Sequence, residues 1–358
     1  MTRSPDGPIL VTGATGFLGA ALVRRLVAAG APVRILRRAS STLDLLGDAA
    51  GAVEHAEGDV TDWDAVRAAV EGVRQVYHAA AFVGFGGRRD REALLAVNVG
   101  GTANVADAAR EASAERLVHV SSIAALGRTR TPQGVLDETA VWRPSKANSR
   151  YAVSKHLAEM EVQRAVAEGL DAVIVSPALI FGPGRPGDNT MQIAEKLRAG
   201  RLPAVPAGGT CVVDVEDVAA GMEAAMAHGR TGERYVLGGE NLLWREILGQ
   251  LAEALGVGLP RLTLTRRPAL ALAAASEAVA ALTGRRPLIT FETARTSSAV
   301  YRYSSRKAAE ELGWTARPFR ETAARIAAAI ERSEDRGQKA ESRRPGSFSD
   351  LRPRSTDH

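Results

Sequence analysis

The chain has 358 residues, 45% of them hydrophobic, with 46 basic and 41 acidic residues spread along its length and a formal charge of +5. That length and apolar content allow a large buried core in one big domain or two unequal ones, and the lack of a basic block interleaved with aromatics argues against a nucleic-acid partner. One cysteine, Cys211, excludes an internal disulfide and any Cys-x-x-Cys metal site, so no metal is expected and a reducing compartment fits.

The N-terminal MTRSPDGP has no apolar signal core, and the run ILVTGATGFLG is too broken by glycine to serve as one, so the expected location is cytoplasmic. PILVTG reads as a first strand and GAALVRRLVAAG as the helix after it. APVRILRR, AVEHAEGD, RQVYHAA, RLVHVSS and DAVIVSP follow as further strands. Between them lie a short helical turn and the helices DWDAVRAAVEGV, LLAVNVGGTANVADAARE and YAVSKHLAEMEVQRAVAEG. Strands that are apolar throughout and alternate with helices predict an α/β, doubly wound parallel sheet, the Rossmann fold. From Phe181 the texture changes to GPGRPGDN, an amphipathic MQIAEKLRAG and the turn-rich PAVPAGGT, before a helical C-terminal portion. The expected division is a dinucleotide-binding domain over 1–180, with 212–239 returning to it, and a smaller, mainly helical substrate lobe over 181–211 and 240–330. The stretch ALALAAASEAVAALT is shorter than a bilayer requires and carries Glu277, so it reads as a helix packed on protein, with no membrane partner. Residues 333–358 hold only Phe348 and Leu351 as large apolar residues, which predicts disorder.

Chemistry enters at TGATGFLG, where Gly13, Gly16 and Gly19 stand between strand and helix with Thr15, Phe17 and Leu18 among them. Glycine there lets backbone approach a pyrophosphate, whose charge the helix N-terminal amides can hold. The second strand ends in Arg37 and Arg38, where an NAD-specific site would place an acid for the ribose diol. Guanidinium groups suit a 2'-phosphate instead, so NADP(H) is preferred and NAD(H) remains possible. Ser121 and Ser122 end the strand RLVHVSS, at the sheet edge where open α/β folds bind ligands. A hydroxyl there can donate to a substrate carbonyl as negative charge develops on it, and no Gly-x-Ser-x-Gly elbow surrounds either serine to make it a nucleophile. YAVSK places Tyr151 one helical turn before Lys155, yet YSSRK repeats the spacing with Tyr303 and Lys307. Spacing alone selects neither pair.

These motifs together resemble the extended short-chain dehydrogenase/reductase superfamily, the NAD-dependent epimerase/dehydratase family. TGATGFLG matches its nucleotide loop, GDVTD its adenine-contacting acid, HAAA the turn beside the cofactor, NVGGTANV its next helix, and SSIAALG, YAVSK and SPALIFGPG its active site, in family order. The resemblance implies that Tyr151 is the proton donor or acceptor, Lys155 the holder of the nicotinamide ribose, and Ser122 the hydroxyl that orients the carbonyl, with Ser121 in reserve. It implies cofactor contacts at Asp59, Val60, Ala79, Ala80 and Ala81, a tie from Asn98 between helix and strand, and a nicotinamide border at Pro177 and Ala178. Tyr303 and Lys307 then read as ordinary surface residues, and His78 as a local packing or hydrogen-bonding group.

Within the superfamily the chain looks like the dihydroflavonol-reductase-like group, which takes in 3β-hydroxysteroid dehydrogenases, cinnamoyl-CoA reductases and hopanoid-associated sugar-epimerase-like proteins. GERYVLGGENLLWREIL and SSRKAAEELGW carry that likeness. It implies hydride transfer between NADP(H) or NAD and a ketone, aldehyde or secondary alcohol on a bulky cyclic or aromatic skeleton, in a homodimer. The loop FVGFGGRRDRE, with Phe82, Phe85, Arg88 and Arg89, would suit an apolar body with an acidic or phosphorylated end. A nucleotide-sugar epimerase with tightly held NAD is the rival. Against it, Ile123 and Ala124 stand where sugar-nucleotide dehydratases carry Asp-Glu, and Ser176 stands where sugar-nucleotide enzymes often carry arginine. A dinucleotide-sensing regulator is the alternative of another class, and such proteins usually lack the tyrosine-lysine pair.

Overall fold

The computed structural model describes residues 7–84, 88–127, 134–145, 148–283 and 289–342. In chain order the first half runs β1 (Ile9–Thr12), α1 (Phe17–Ala28), β2 (Val33–Arg37), β3 (Glu54–Glu57), α2 (Trp63–Val70), β4 (Gln75–His78), α3 (Arg88–Ala93), α4 (Gly101–Glu111) and β5 (Arg116–Val120). A π-helical stretch, Leu94–Gly100, joins α3 to α4. Then come β6 (Val135–Leu136), α5 (Arg150–Ala167), β7 (Ala172–Pro177), β8 (Leu179–Phe181), α6 (Asn189–Arg198), β9 (Val205–Pro206), β10 (Gly209–Asp214), α7 (Val215–His228) and β11 (Arg234–Leu237).

Seven of these strands form one sheet in the order β11-β7-β5-β4-β1-β2-β3, and every pairing in it is parallel. The chain winds outward from β1 through β2 and β3, then crosses back to β4 on the other side. That reversal opens a crevice at the carboxyl ends of β1 and β4, where doubly wound sheets bind their ligands. Strand side chains alternate between two cores, as the pleat requires. Val11, Ile35, Val118 and Val175 pack with α1 and α7 on one face, while Leu10, Leu36, Leu117 and Ile174 pack with α2, α4 and α5 on the other. Both faces are dry over the central strands, which are apolar, while the edge strand β3 keeps Glu54, His55 and Glu57 exposed.

Residues 215–237 thus lie on the large sheet, α7 against α1 and β11 as its outermost strand beside β7. β10 instead joins β8 and β12 (Glu240–Leu243) in a separate three-stranded sheet. The C-terminal part adds α8 (Trp244–Leu255), β13 (Thr263–Leu264), α9 (Arg266–Thr283), α10 (Phe291–Ser297), β14 (Arg302–Tyr303), α11 (Arg306–Leu312) and α12 (Phe319–Ser342). A third core, with Phe181, Met191, Ile247, Leu251, Phe319 and Ile326, holds α6, α8 and α12 together.

One sequence expectation changes here. α12 continues to Ser342, so the first ten residues of the stretch expected to be disordered are helical, and 343–358 lie outside the described residues. In α9 one side packs through Ala269 and Ala273 onto Ala294, while Leu272 and Val279 are exposed. Among the described residues no helix is long and apolar enough to cross a membrane.

Candidate active site

The glycine loop sits at the mouth of the crevice. Gly13 has φ +69°, a left-handed conformation that side chains rarely adopt, and a Cβ on it would lie 2.5 Å from the Ala80 backbone nitrogen. A Cβ on Gly19 would collide with the Gly13 carbonyl. The loop therefore lies flat against Ala79 and Ala80, which follow β4. Gly16 caps α1 without any side-chain hydrogen bond, so the first amides of a 12-residue helix face the crevice uncovered. A pyrophosphate fits such an end by its charge, and the residues present suit a dinucleotide.

The other predicted cofactor residues fall at the carboxyl ends of neighbouring strands. Arg37 closes β2; its Nε donates to His55 Nδ1 at 3.0 Å and its Nη1 to the Arg38 carbonyl, while Arg38 is exposed. Asp59 follows β3 and accepts from the amide and hydroxyl of Thr61 at 2.9 and 2.8 Å. Val60 is buried, and its carbonyl accepts from Asn104. Ala81 is exposed, and Pro177 and Ala178 are buried at the end of β7. Phe85, Arg88 and Arg89 cannot be placed against substrate, since Phe85 and the two arginine side chains lie outside what is described.

Tyr151 and Lys155 lie one turn apart on α5, below the end of β5. Ser149 caps that helix, its hydroxyl accepting from the Ala152 amide at 2.9 Å, which fixes the first turn that carries Tyr151. The Tyr151 phenol is hydrogen-bonded to the Ser122 hydroxyl, and Ser122 Oγ also accepts from the Ala124 amide at 3.2 Å. Burial pushes the phenol above its ordinary range, with the Ser122 hydrogen bond pulling the other way. In the chain alone the phenol is thus held as a proton donor. Lys155 is 1% exposed and donates from Nζ to the Val120 carbonyl at 2.7 Å. Desolvation lowers it to about 8, with the Glu159 charge opposing.

Ser121 is occupied elsewhere. Its hydroxyl donates to Glu159 at 2.5 Å, away from Tyr151, which leaves Ser122 as the hydroxyl of the site. Asn98, in the π-helical stretch, accepts from the Phe82 amide at 2.7 Å and donates to the Phe82 carbonyl and to Ser154, both at 3.0 Å. It ties the loop after β4 to the helix bearing Tyr151. His78 is buried between Thr12 and Thr102 at 2.7 and 3.0 Å and does not reach the phenol.

Tyr303 and Lys307 are not ordinary surface residues, although they are not an active site either. Tyr303 is 3% exposed in the core, and Lys307 pairs with Glu233 and lies over the Tyr235 ring. Three contributors were not read from the sequence. Glu159 continues the four-residue register of Tyr151 and Lys155 and so was legible in principle. Arg234, which pairs with it, carried no local signal. Arg185, in the GPGRPGDN segment, donates to the Thr15 carbonyl at 2.9 Å and pairs with Asp44, strapping the loop after β8 over the glycine loop.

This geometry agrees with comparison to known proteins. The family model for the NAD dependent epimerase/dehydratase family matches residues 9–238. The chain is 37% identical over 309 residues to a dihydroflavonol 4-reductase of Synechocystis sp., covering 85% of this chain and 88% of that one. It is 40% identical to sterol demethylase protein B of Methylococcus capsulatus, over 72% of this chain and 77% of the relative. The crystal structure of gox2253 superposes with a TM-score of 0.78 at 34% identity, covering 91% of this chain and 98% of that one. A glycine loop at the switch point of a parallel sheet, a Ser-Tyr-Lys set beyond its central strand, and these matches place the chain in the NAD-dependent epimerase/dehydratase family of oxidoreductases.

Proposed function

We propose that the chain is an NADP(H)-preferring reductase or dehydrogenase that moves a hydride between the nicotinamide and a ketone, aldehyde or secondary alcohol on a bulky cyclic or aromatic substrate. The observation that carries this reading is the Tyr151 phenol, kept protonated and hydrogen-bonded to Ser122, one turn from the buried Lys155. A bound nicotinamide supplies or accepts the hydride. In reduction Tyr151 gives its proton to the substrate oxygen, and Ser122 donates a hydrogen bond to that oxygen as charge builds on it. Lys155 places a positive charge beneath the phenol, which favours the phenolate left after transfer. The glycine loop and the open end of α1 receive the pyrophosphate, and Arg37 and Arg38 stand where a 2'-phosphate would lie.

The bulky substrate rests on the names of the relatives, a dihydroflavonol 4-reductase and a sterol demethylase protein, which point to fused or aryl-substituted rings. Ser122 followed by Ile123 and Ala124 supports simple hydride transfer, because no carboxylate follows the hydroxyl to remove a proton for water elimination. Calorimetric titration with NADPH and NADH, followed by a screen of cyclic and aromatic ketones with the tighter cofactor, tests the proposal. NADPH is expected to bind at least roughly tenfold more tightly, ~1.4 kcal/mol. Equal affinities would remove the argument from Arg37 and Arg38.

A further inference from the structure

Tyr151, Lys155 and Glu159 follow one another at four-residue steps on α5, so they rise along one face of the helix. Glu159 is 2% exposed, an unusual place for a carboxylate. Its Oε1 accepts from Ser121 at 2.5 Å and, at 3.5 Å, from Ser176, which bind it to the ends of β5 and β7. Its Oε2 is paired with the guanidinium of Arg234 on β11, the outermost strand of the sheet. One carboxylate thus links the helix that carries the tyrosine-lysine pair to three strands.

The other groups around Lys155 offer no countercharge. His78 on β4 and His119 on β5 are both buried, and burial keeps each neutral. Tyr151 is held as a neutral phenol. Arg234 adds a second cation on the Glu159 side. Without Glu159 a buried ammonium and a largely buried guanidinium would share the pocket unbalanced, which neither desolvation nor their mutual repulsion permits at neutral pH.

We propose that Glu159 is a positioning residue: its buried negative charge keeps Lys155 an ammonium under the tyrosine, and its hold on Ser121 leaves Ser122 as the hydroxyl that meets the substrate. Burial raises the Glu159 carboxyl above its ordinary range, and Arg234 is the chief partner that opposes this and holds it ionised. The proposal rests on reading Tyr151 and Lys155 as the hydride-transfer pair, but its test needs neither substrate nor cofactor. Only five lysines are present, so lysine labelled with 13C and 15N gives few signals, and Lys155 is assigned by the one lost in Lys155→Arg. In the wild type its titration should centre near 8. In Glu159→Gln the midpoint should fall by about one pH unit or more, and Glu159→Asp should bring it most of the way back. A folded Glu159→Gln protein with an unmoved Lys155 midpoint would overturn the proposal. Should that variant fail to fold, the wild type still decides: with glutamate labelled as well, the Glu159 carboxyl must be ionised at pH 7, and a protonated one would overturn the proposal. A wild type whose Lys155 titrates as expected but which turns over no ketone or alcohol would count against the reductase reading alone.

Discussion

The imidazole of His78 is enclosed by Thr12 and Thr102, and the donors around it leave one consistent arrangement. Thr102 Oγ1 donates to the Asn98 carbonyl at 2.6 Å, so it accepts from His78 Nε2, and Nδ1 in turn accepts from the Thr12 hydroxyl. The ring is neutral, and desolvation lowers it to about 3 from an ordinary 6.5. His119 lies 5.3 Å away, ring to ring, and is driven well down by the same cause. The unfolded chain takes up these protons near pH 6.5, whereas the folded one refuses His78's until about 3. The stability this confers is complete above pH 6.5 and is lost as pH falls toward 3, by up to about 1.4 kcal/mol per pH unit for each ring. Urea unfolding between pH 7 and 5 should show that decline, and His78→Gln should flatten it by about one proton. An unchanged slope in His78→Gln would show that another group sets the acid limit. The sequence reading of His78 as a packing or hydrogen-bonding group holds, and the threonines 66 and 24 residues away are the partners it could not name.

At the level of elements, the turn between β1 and α1 is the most tightly specified part of the molecule. Gly13 needs a positive φ, and Gly19 leaves no room for a methyl beside the Gly13 carbonyl. Gly19→Ala should push the loop outward from Ala79 and Ala80, weaken NADPH binding by roughly tenfold or more, about 1.4 kcal/mol, and lower the melting temperature, as calorimetry and a thermal scan would show. Wild-type affinity in that variant would mean that the loop is not the cofactor cradle. Such a turn is legible in a sequence because glycine states a backbone requirement where it stands. The strand and helix periods are equally local, so the central sheet could be read from the apolar runs alone. The Glu159 and Arg185 contacts were not legible in that way. Their partners Arg234 and Thr15 lie 75 and 170 residues off, and only the winding of the sheet brings them together. Tyr303 misled for the same reason: its spacing to Lys307 is local, but its burial depends on β14 lying beside β6.

Across the whole molecule, the large sheet carries the glycine loop and the Ser122, Tyr151 and Lys155 set, and the C-terminal elements are fastened to it by charge as well as by apolar packing. Arg317 forms a two-oxygen pair with Asp217 on α7, and Arg325 on α12 reaches Asp214, the carboxylate that caps the same helix. The C-terminal elements are thereby fastened to α7, which packs on the large sheet against α1 and β7. The central claim is that a hydride passes between a nicotinamide and an external carbonyl with Tyr151 as the acid. NADPH carrying deuterium at the transferable position of the nicotinamide, incubated with cyclic and aromatic ketones, tests it most directly by mass spectrometry of the alcohol. The wild type should place one deuterium on the carbinol carbon, and Tyr151→Phe should lose this by about 10²- to 10⁴-fold while still binding NADPH. Undiminished transfer in Tyr151→Phe would contradict the account, as would no transfer at all by a protein that carries tightly held NAD and interconverts sugar epimers without net oxidation.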